Sequence, residues 1–115
     1  MTSAASEPMF HVVFLCKKRA DMTQEAFTDY WINLHTPLTA KTPGLVGYRC
    51  YPSIGQPDRQ APFDAIAVCS FADRAAYDAA MVGPEFQAAL ADAVHFQNTE
   101  ETVAFWATEH IIVGG

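Results

Sequence analysis

The sequence predicts an α+β domain: a four-stranded antiparallel sheet in the order β-α-β-β-α-β, with its helices on one face. Three observations carry that expectation. Four short segments are rich in β-branched and aromatic residues. Two other regions repeat apolar residues at three- and four-residue spacing, and Pro- and Gly-rich punctuation separates all of these in that order. With 115 residues, half of them apolar and 17% charged, the chain fits one folded domain with a core of its own.

Residues 1–8 are polar and read as a flexible tail, leaving 9–115 as the domain. Met9 to Lys17 reads as the first strand. Thr23 is a good helix N-cap, with Glu25 in the first turn where it suits the helix dipole. The helix carries Phe27, Tyr30, Trp31, Leu34 and Leu38 as its apolar stripe. Pro37 lies inside that pattern; it donates no hydrogen bond and collides with the Asn33 carbonyl, so the helix is expected to end or kink near His35. Pro43-Gly44 stops it. Leu45 to Tyr51 reads as the second strand, and Pro52 to Pro62 as a loop long enough to serve as a lid or dimer arm. Asp64 to Phe71 is the third strand. Asp73 caps the next helix, Gly83-Pro84 interrupts it, and Pro84 opens a further helix to about Gln97. Thr102 to Val113 is the expected fourth strand. This order is the ferredoxin-like plan.

The strands do not alternate between apolar and polar, as they would in a sheet wetted on one side. Phe10, Val12, Phe14 and Cys16 lie on one side of the first strand, and Met9, Val13 and Leu15 on the other. In the last, Val103, Phe105 and Ile111 oppose Ala104, Trp106 and Ile112. Helices cover one side only, so a second copy of the chain is the simplest cover for the other. The sequence therefore predicts a homodimer packed sheet to sheet.

Charge and cysteine usage narrow the partners. Seven Lys and Arg against 13 Asp and Glu give a formal net charge of −6, the wrong sign for a nucleic-acid partner. The charge is +1 up to Cys50 and −7 from Tyr51 onward. The basic triplet Lys17-Lys18-Arg19 reads as a solvated loop entry in preference to an anion site. No apolar run is long enough to cross a bilayer, and the N-terminus does not look like a secretory signal. Cys16, Cys50 and Cys69 are odd in number and lack CxxC spacing, which points to buried free thiols and a cytoplasmic location.

His35 is the leading candidate for chemistry. At 100° per residue it lies about 80° from Phe27, on the rim of the stripe and looking along the seam between helix and sheet. It reads either as an acid or base poised near neutral pH or as a rim histidine bonding a local carbonyl. Cys69 shares a strand face with Ala65, Ala67 and Phe71. The two alanines leave room that is either filled by a large side chain such as Trp31 or kept as a pocket with a thiol on its wall. Tyr48 offers a phenol to a substrate oxygen. His11 and His110 each could line a cavity or lie at the dimer interface, and His95 points to solvent. No HExxH or paired His spacing supports a metal, and no GxGxxG or GxxxxGK supports a nucleotide.

VVFLCKK, FTDYWINLHTPL, PGLVGY, PFDAIAVCSF and ATEHIIV, in that order, resemble the EthD family of dimeric α+β barrel proteins. That resemblance implies the same ferredoxin-like unit dimerised through its sheets. Members and relatives include isomerases, cyclases and decarboxylases. The positions of His35, Tyr48 and Cys69 are similar to those lining the substrate pocket of methylmuconolactone methylisomerase. That enzyme also uses a histidine from the loop between the second and third strands, which is absent from Pro52–Phe63 here.

Together these readings predict an acid–base enzyme without cofactor, acting on a small cyclic or aromatic carbonyl or lactone. His35, Tyr48 and Cys69 would carry the chemistry, while Phe27, Trp31, His11 and Trp106 would line the substrate site. A non-catalytic carrier of a hydrophobic metabolite is one alternative. A monooxygenase without cofactor, or a haem-binding barrel, is another.

Overall fold

Branched and aromatic residues at nearly every position make Phe10–Cys16 an extended strand, β1. The computed structural model describes residues 9–114; the expected tail, 1–8, lies outside the described residues. After β1 come helix α1 (Gln24–Tyr30), a wide π-helical turn (Trp31–His35) and helix α2 (Thr36–Ala40). Strands β2 (Leu45–Pro52) and β3 (Ala65–Phe71) follow, then helices α3 (Arg74–Met81) and α4 (Pro84–Asp92). A short 3-10 turn (Ala93–His95) leads to β4 (Val103–Ala107). The four strands pair antiparallel in the order β2-β3-β1-β4, a ferredoxin-like α+β fold. The predicted caps form: Thr23 Oγ1 accepts from the Ala26 amide at 3.1 Å, and Asp73 Oδ1 from that of Ala76 at 2.9 Å. No helix among the described residues is long and apolar enough to cross a membrane.

The first helical region departs from expectation in a way that sets the position of His35. Pro37 neither ends nor breaks it. The Thr36 amide reaches back five residues to the Trp31 carbonyl, which widens the turn. The Ile32 carbonyl would take its hydrogen from residue 36 or 37. Thr36 has committed its amide and Pro37 has none, so the Thr36 hydroxyl donates instead, at 2.6 Å. The wide turn also changes the helix phase. Phe27, Trp31, His35 and Thr39 are all buried at a strict spacing of four, and Leu34 is turned out to solvent at 59% exposure. His35 is thus on the buried line rather than its rim.

The fourth strand is shorter than expected. Its last pair with β1 is His11–Ala107, and β1 itself begins at Phe10. Beyond Ala107 the described chain has almost no strand to pair with. His110, Ile111, Ile112 and Val113 are exposed and outside the sheet, so they take no part in either face.

The register assigns every side chain to a face. Toward the helices stand the rows Tyr48–Cys69–Val12–Trp106 and Cys50–Ala67–Phe14–Ala104. Away from them stand Tyr51–Ile66–Leu15–Val103, Arg49–Val68–Val13–Phe105 and Gly47–Ser70–His11–Ala107. No helix covers this second face, where Tyr51, Val103 and Phe105 remain about half exposed at 54%, 47% and 51%. The core under the helices centres on Phe27, Trp31 and Phe96 over Cys16, Ala65 and Ala67. Phe27 is fully buried, with ring centroids 6.0 Å from Trp31 and 5.5 Å from Phe96. Replacing Phe27 by Ala should therefore cost roughly 3–5 kcal/mol in urea unfolding at fixed protein concentration. A cost below about 1 kcal/mol would show that this cluster is not the centre of the core.

Candidate active site

Ala67 on β3 is too small to fill the space beneath the helices, although Trp31 packs in the same cluster as Ala65 and Ala67. What remains is a cavity of about 290 Å³ between the sheet and the helices, at the small end of the range for ligand sites. Phe14, Cys16, Trp31, Ala67, Cys69, Phe86, Ala89 and Leu90 make most of its wall. Its polar groups are His35, Thr39 and Tyr48 in one place and Gln97, Thr99 and Thr102 in another.

His35 is held from behind. Its Nδ1 lies 2.9 Å from Asp92 Oδ2, and the other oxygen of that carboxylate accepts from the Tyr30 hydroxyl at 2.8 Å. Both members of the His35–Asp92 pair are largely buried. A carboxylate only accepts, so Nδ1 carries the hydrogen and Nε2 keeps its lone pair. Thr39 Oγ1 lies 3.4 Å from that Nε2, one helical turn further on. The imidazole packs at a tilt against the Phe96 ring, 4.7 Å between centroids. Burial pushes His35 below its ordinary 6.5, while the hydrogen bond and charge of Asp92 pull the other way. The net result is a neutral, oriented imidazole at the cavity wall, whose unprotonated Nε2 meets only the long Thr39 contact among the described residues.

The neighbouring groups are held in their neutral forms. Burial raises the Tyr48 phenol well above its usual range, and the nearby Cys50 thiol adds to the effect. Burial likewise pushes Cys69 up to about 12, helped by Cys50 and Cys16, and Cys16 up to about 12. Cys50, only half-buried, is also raised by burial. Tyr48 is therefore a donor of hydrogen bonds, and Cys69 is a neutral thiol rather than an activated thiolate.

The structure gathers His35, Tyr48, Cys69 and Trp31 around one cavity. It places the other predicted residues elsewhere. Phe27 stands behind Trp31 as packing. Trp106 lies over β1 beside α3, 5.3 Å from Phe10 and 5.7 Å from Tyr77, with the Arg74 guanidinium 4.2 Å over its ring. His11 has the opposite strand parity, so it sits on the uncovered sheet face, where Nδ1 meets Ser70 Oγ at 2.7 Å. His95 and His110 are exposed. The 53–61 loop flanks a separate cleft with Lys18, Glu25 and Asp29, and none of its residues lines the His35 cavity. Of the basic triplet, Lys17 reaches the Pro62 carbonyl and Arg19 pairs with Asp21 on the surface.

Two residues of the candidate site escaped the sequence reading, Asp92 and Thr39. Each had a local signal. Asp92 lies three residues after Ala89 and four before Phe96, an acid on the buried arc of α4. Thr39 lies one turn after His35.

The EthD domain family model matches residues 19–100. No curated protein matches the chain. Among solved structures, it is similar to an EthD family protein of Bacillus halodurans at 25% identity and a TM-score of 0.76, covering 89% of this chain and 99% of that one. A dimeric ferredoxin-like protein of unknown function from Thermobifida fusca aligns at 19% identity and a TM-score of 0.70, over 89% of this chain and 92% of that one. SnoaB of Streptomyces nogalater, a cofactor-independent oxygenase, aligns at 12% identity and a TM-score of 0.65, over 95% of this chain and all of that one.

Nitrogen-15 NMR should show His35 as the Nδ1–H tautomer, titrating below 6.5. Asp92→Asn should lower the midpoint further, because the lost charge and bond both favour the protonated ring. Between the folded midpoint and 6.5 the unfolded chain binds the extra proton, so the His35 contribution to stability is complete above 6.5 and is lost as pH falls through the folded midpoint. An Nε2–H tautomer, or a midpoint that rises in Asp92→Asn, contradicts this arrangement.

Proposed function

We propose that this chain, which belongs to the EthD family, is an acid–base enzyme that moves a proton on a small cyclic or aromatic carbonyl compound without a cofactor. The observation that carries the reading is the His35–Asp92 hydrogen bond of 2.9 Å, which leaves an unprotonated ring nitrogen at the wall of an apolar cavity. A general base works best when its neutral form is populated at the working pH and water is kept away.

In this reaction His35 Nε2 takes a proton from the carbon next to the carbonyl. The electron pair of the broken C–H bond moves to the carbonyl oxygen as an enolate. Tyr48, a neutral phenol, donates a hydrogen bond to that oxygen. The imidazolium, stabilised by Asp92, then returns the proton to the same carbon or to another one, giving exchange or isomerisation. Asp92 is a positioning residue, and the Cys69 thiol shapes the wall. Three free cysteines fit a reducing, cytoplasmic setting.

The second reading is a cofactor-independent oxygenase. The fold shared with SnoaB favours it, since the same base in the same apolar cavity would convert a phenol into an electron-rich phenolate for oxygen to attack.

The uncovered sheet face supports a homodimer packed sheet to sheet, and the Thermobifida fusca protein of the same fold is described as dimeric. Its rows Tyr51–Ile66–Leu15–Val103 and Val68–Val13–Phe105 form an apolar surface of the kind a soluble chain covers. Light scattering should give twice the chain mass. The double variant Val13→Lys, Phe105→Lys should give the single-chain mass with an unchanged circular dichroism spectrum. A wild-type monomer at micromolar concentration sinks the dimer.

For catalysis, a panel of small cyclic ketones and lactones in D2O, followed by proton NMR, should show enzyme-dependent exchange at the carbon beside the carbonyl. His35→Ala should slow it roughly 10²–10⁴-fold. Ligand binding without any His35-dependent exchange would establish a carrier instead, and oxygen uptake with phenols would establish the second reading.

A further inference from the structure

None of the chain's seven Lys and Arg lines the His35 cavity. Lys17 is tied to the Pro62 carbonyl, Arg19 to Asp21, and Arg74 to Asp78 and Trp106. Lys18 and Arg59 border the other cleft, Lys41 is exposed after α2, and Arg49 stands on the far sheet face. A carboxylate entering the cavity would lose its water and find no cation, which costs several kcal/mol per ion. It would also meet the Asp92 carboxylate directly behind His35.

The polar groups that do line the cavity stand at its two ends. Tyr48 belongs to the row of Val12 near the start of β1, while Gln97 bridges to Lys18 beyond the end of that strand. The Gln97 carboxamide has no hydrogen-bond partner among the described residues. Beside it, Thr102 Oγ1 is already engaged, accepting from the Lys17 amide and donating to the Asn98 carbonyl, both at 3.0 Å. Thr99 is exposed. Of the two groups at that end without a partner among the described residues, Gln97 and Thr99, Gln97 is the more buried and carries both a donor and an acceptor.

We infer that the cavity takes an uncharged, ring-sized compound with a hydrogen-bonding group at each end, one received by His35, Thr39 and Tyr48 and the other by the Gln97 carboxamide, and that it rejects carboxylates. This rests on the proposed function in so far as the cavity is the ligand site, and does not require that His35 turn the ligand over. The absence of a cation sets the charge class, and the 290 Å³ volume sets the size. The separation of the polar groups sets the two-ended character.

Three probes of nearly equal shape test it: acetophenone, 4-(hydroxymethyl)acetophenone and 4-acetylbenzoate. Each is titrated at pH 7 while the Trp31 indole resonance is followed by NMR. The two-ended neutral compound should bind most tightly, and the carboxylate at least about tenfold more weakly than it. Gln97→Met should weaken 4-(hydroxymethyl)acetophenone roughly three- to tenfold and leave acetophenone unchanged. Equal or tighter binding of 4-acetylbenzoate overturns the inference, as does failure of every neutral probe to saturate, or an equal loss for both neutral probes in Gln97→Met. His35→Ala separates the two ideas. If it keeps the same preference among the probes while the wild type shows no exchange in D2O, the catalytic reading fails and the ligand class stands. If exchange depends on His35 but the carboxylate binds best, the reverse holds.

Discussion

A proline with no amide hydrogen sits inside a helix that nevertheless continues, and the geometry of the candidate site follows from how the helix absorbs it. The Thr36 amide reaches back to Trp31, and its hydroxyl satisfies the carbonyl that Pro37 leaves behind. The turn that results is wider than an α-turn, so each of its residues advances the helix phase by less. His35 thereby stays in line with Phe27 and Trp31 instead of drifting to the rim, and Thr39 follows it one turn later. Wide turns of this kind are often found at functional sites, and here the reason is mechanical: the turn delivers an imidazole to the buried side.

Once inside, the imidazole needs a partner. α4 supplies one from 57 residues further along the chain, an acid whose two oxygens bind His35 and Tyr30 together. The bond serves both stability and chemistry. It satisfies a buried ring nitrogen and selects which nitrogen remains free. Ala67 of β3 lines the space beside that ring, and burial keeps the phenol and thiols around it protonated. The ring is the basic group of the cavity wall because burial holds the phenol and thiols around it in their neutral forms.

The two faces of the sheet divide the work. One is roofed by helices over a cavity. The other is apolar and uncovered, and it carries its own buried polar pair, His11 with Ser70. The same antiparallel pairing that separates these faces by parity also keeps His11 out of the cavity, whatever its chemical type suggests.

The sequence by itself determined the element order, the caps at Thr23 and Asp73, and the two-sided greasiness of the sheet. These follow from local periodicity and strand parity, which a linear chain displays directly. It also displayed the EthD resemblance. Tertiary structure alone decided the rest. The length of β4 depended on where β1 begins, and the burial of His35 depended on a change of helix phase. The partnership with Asp92 depended on α4 docking beside α1. Phe27 and Trp106 share the composition of a pocket wall, yet one became packing and the other an edge cluster. Those outcomes are set by contacts between residues distant in the chain, which spacing along a single element does not encode.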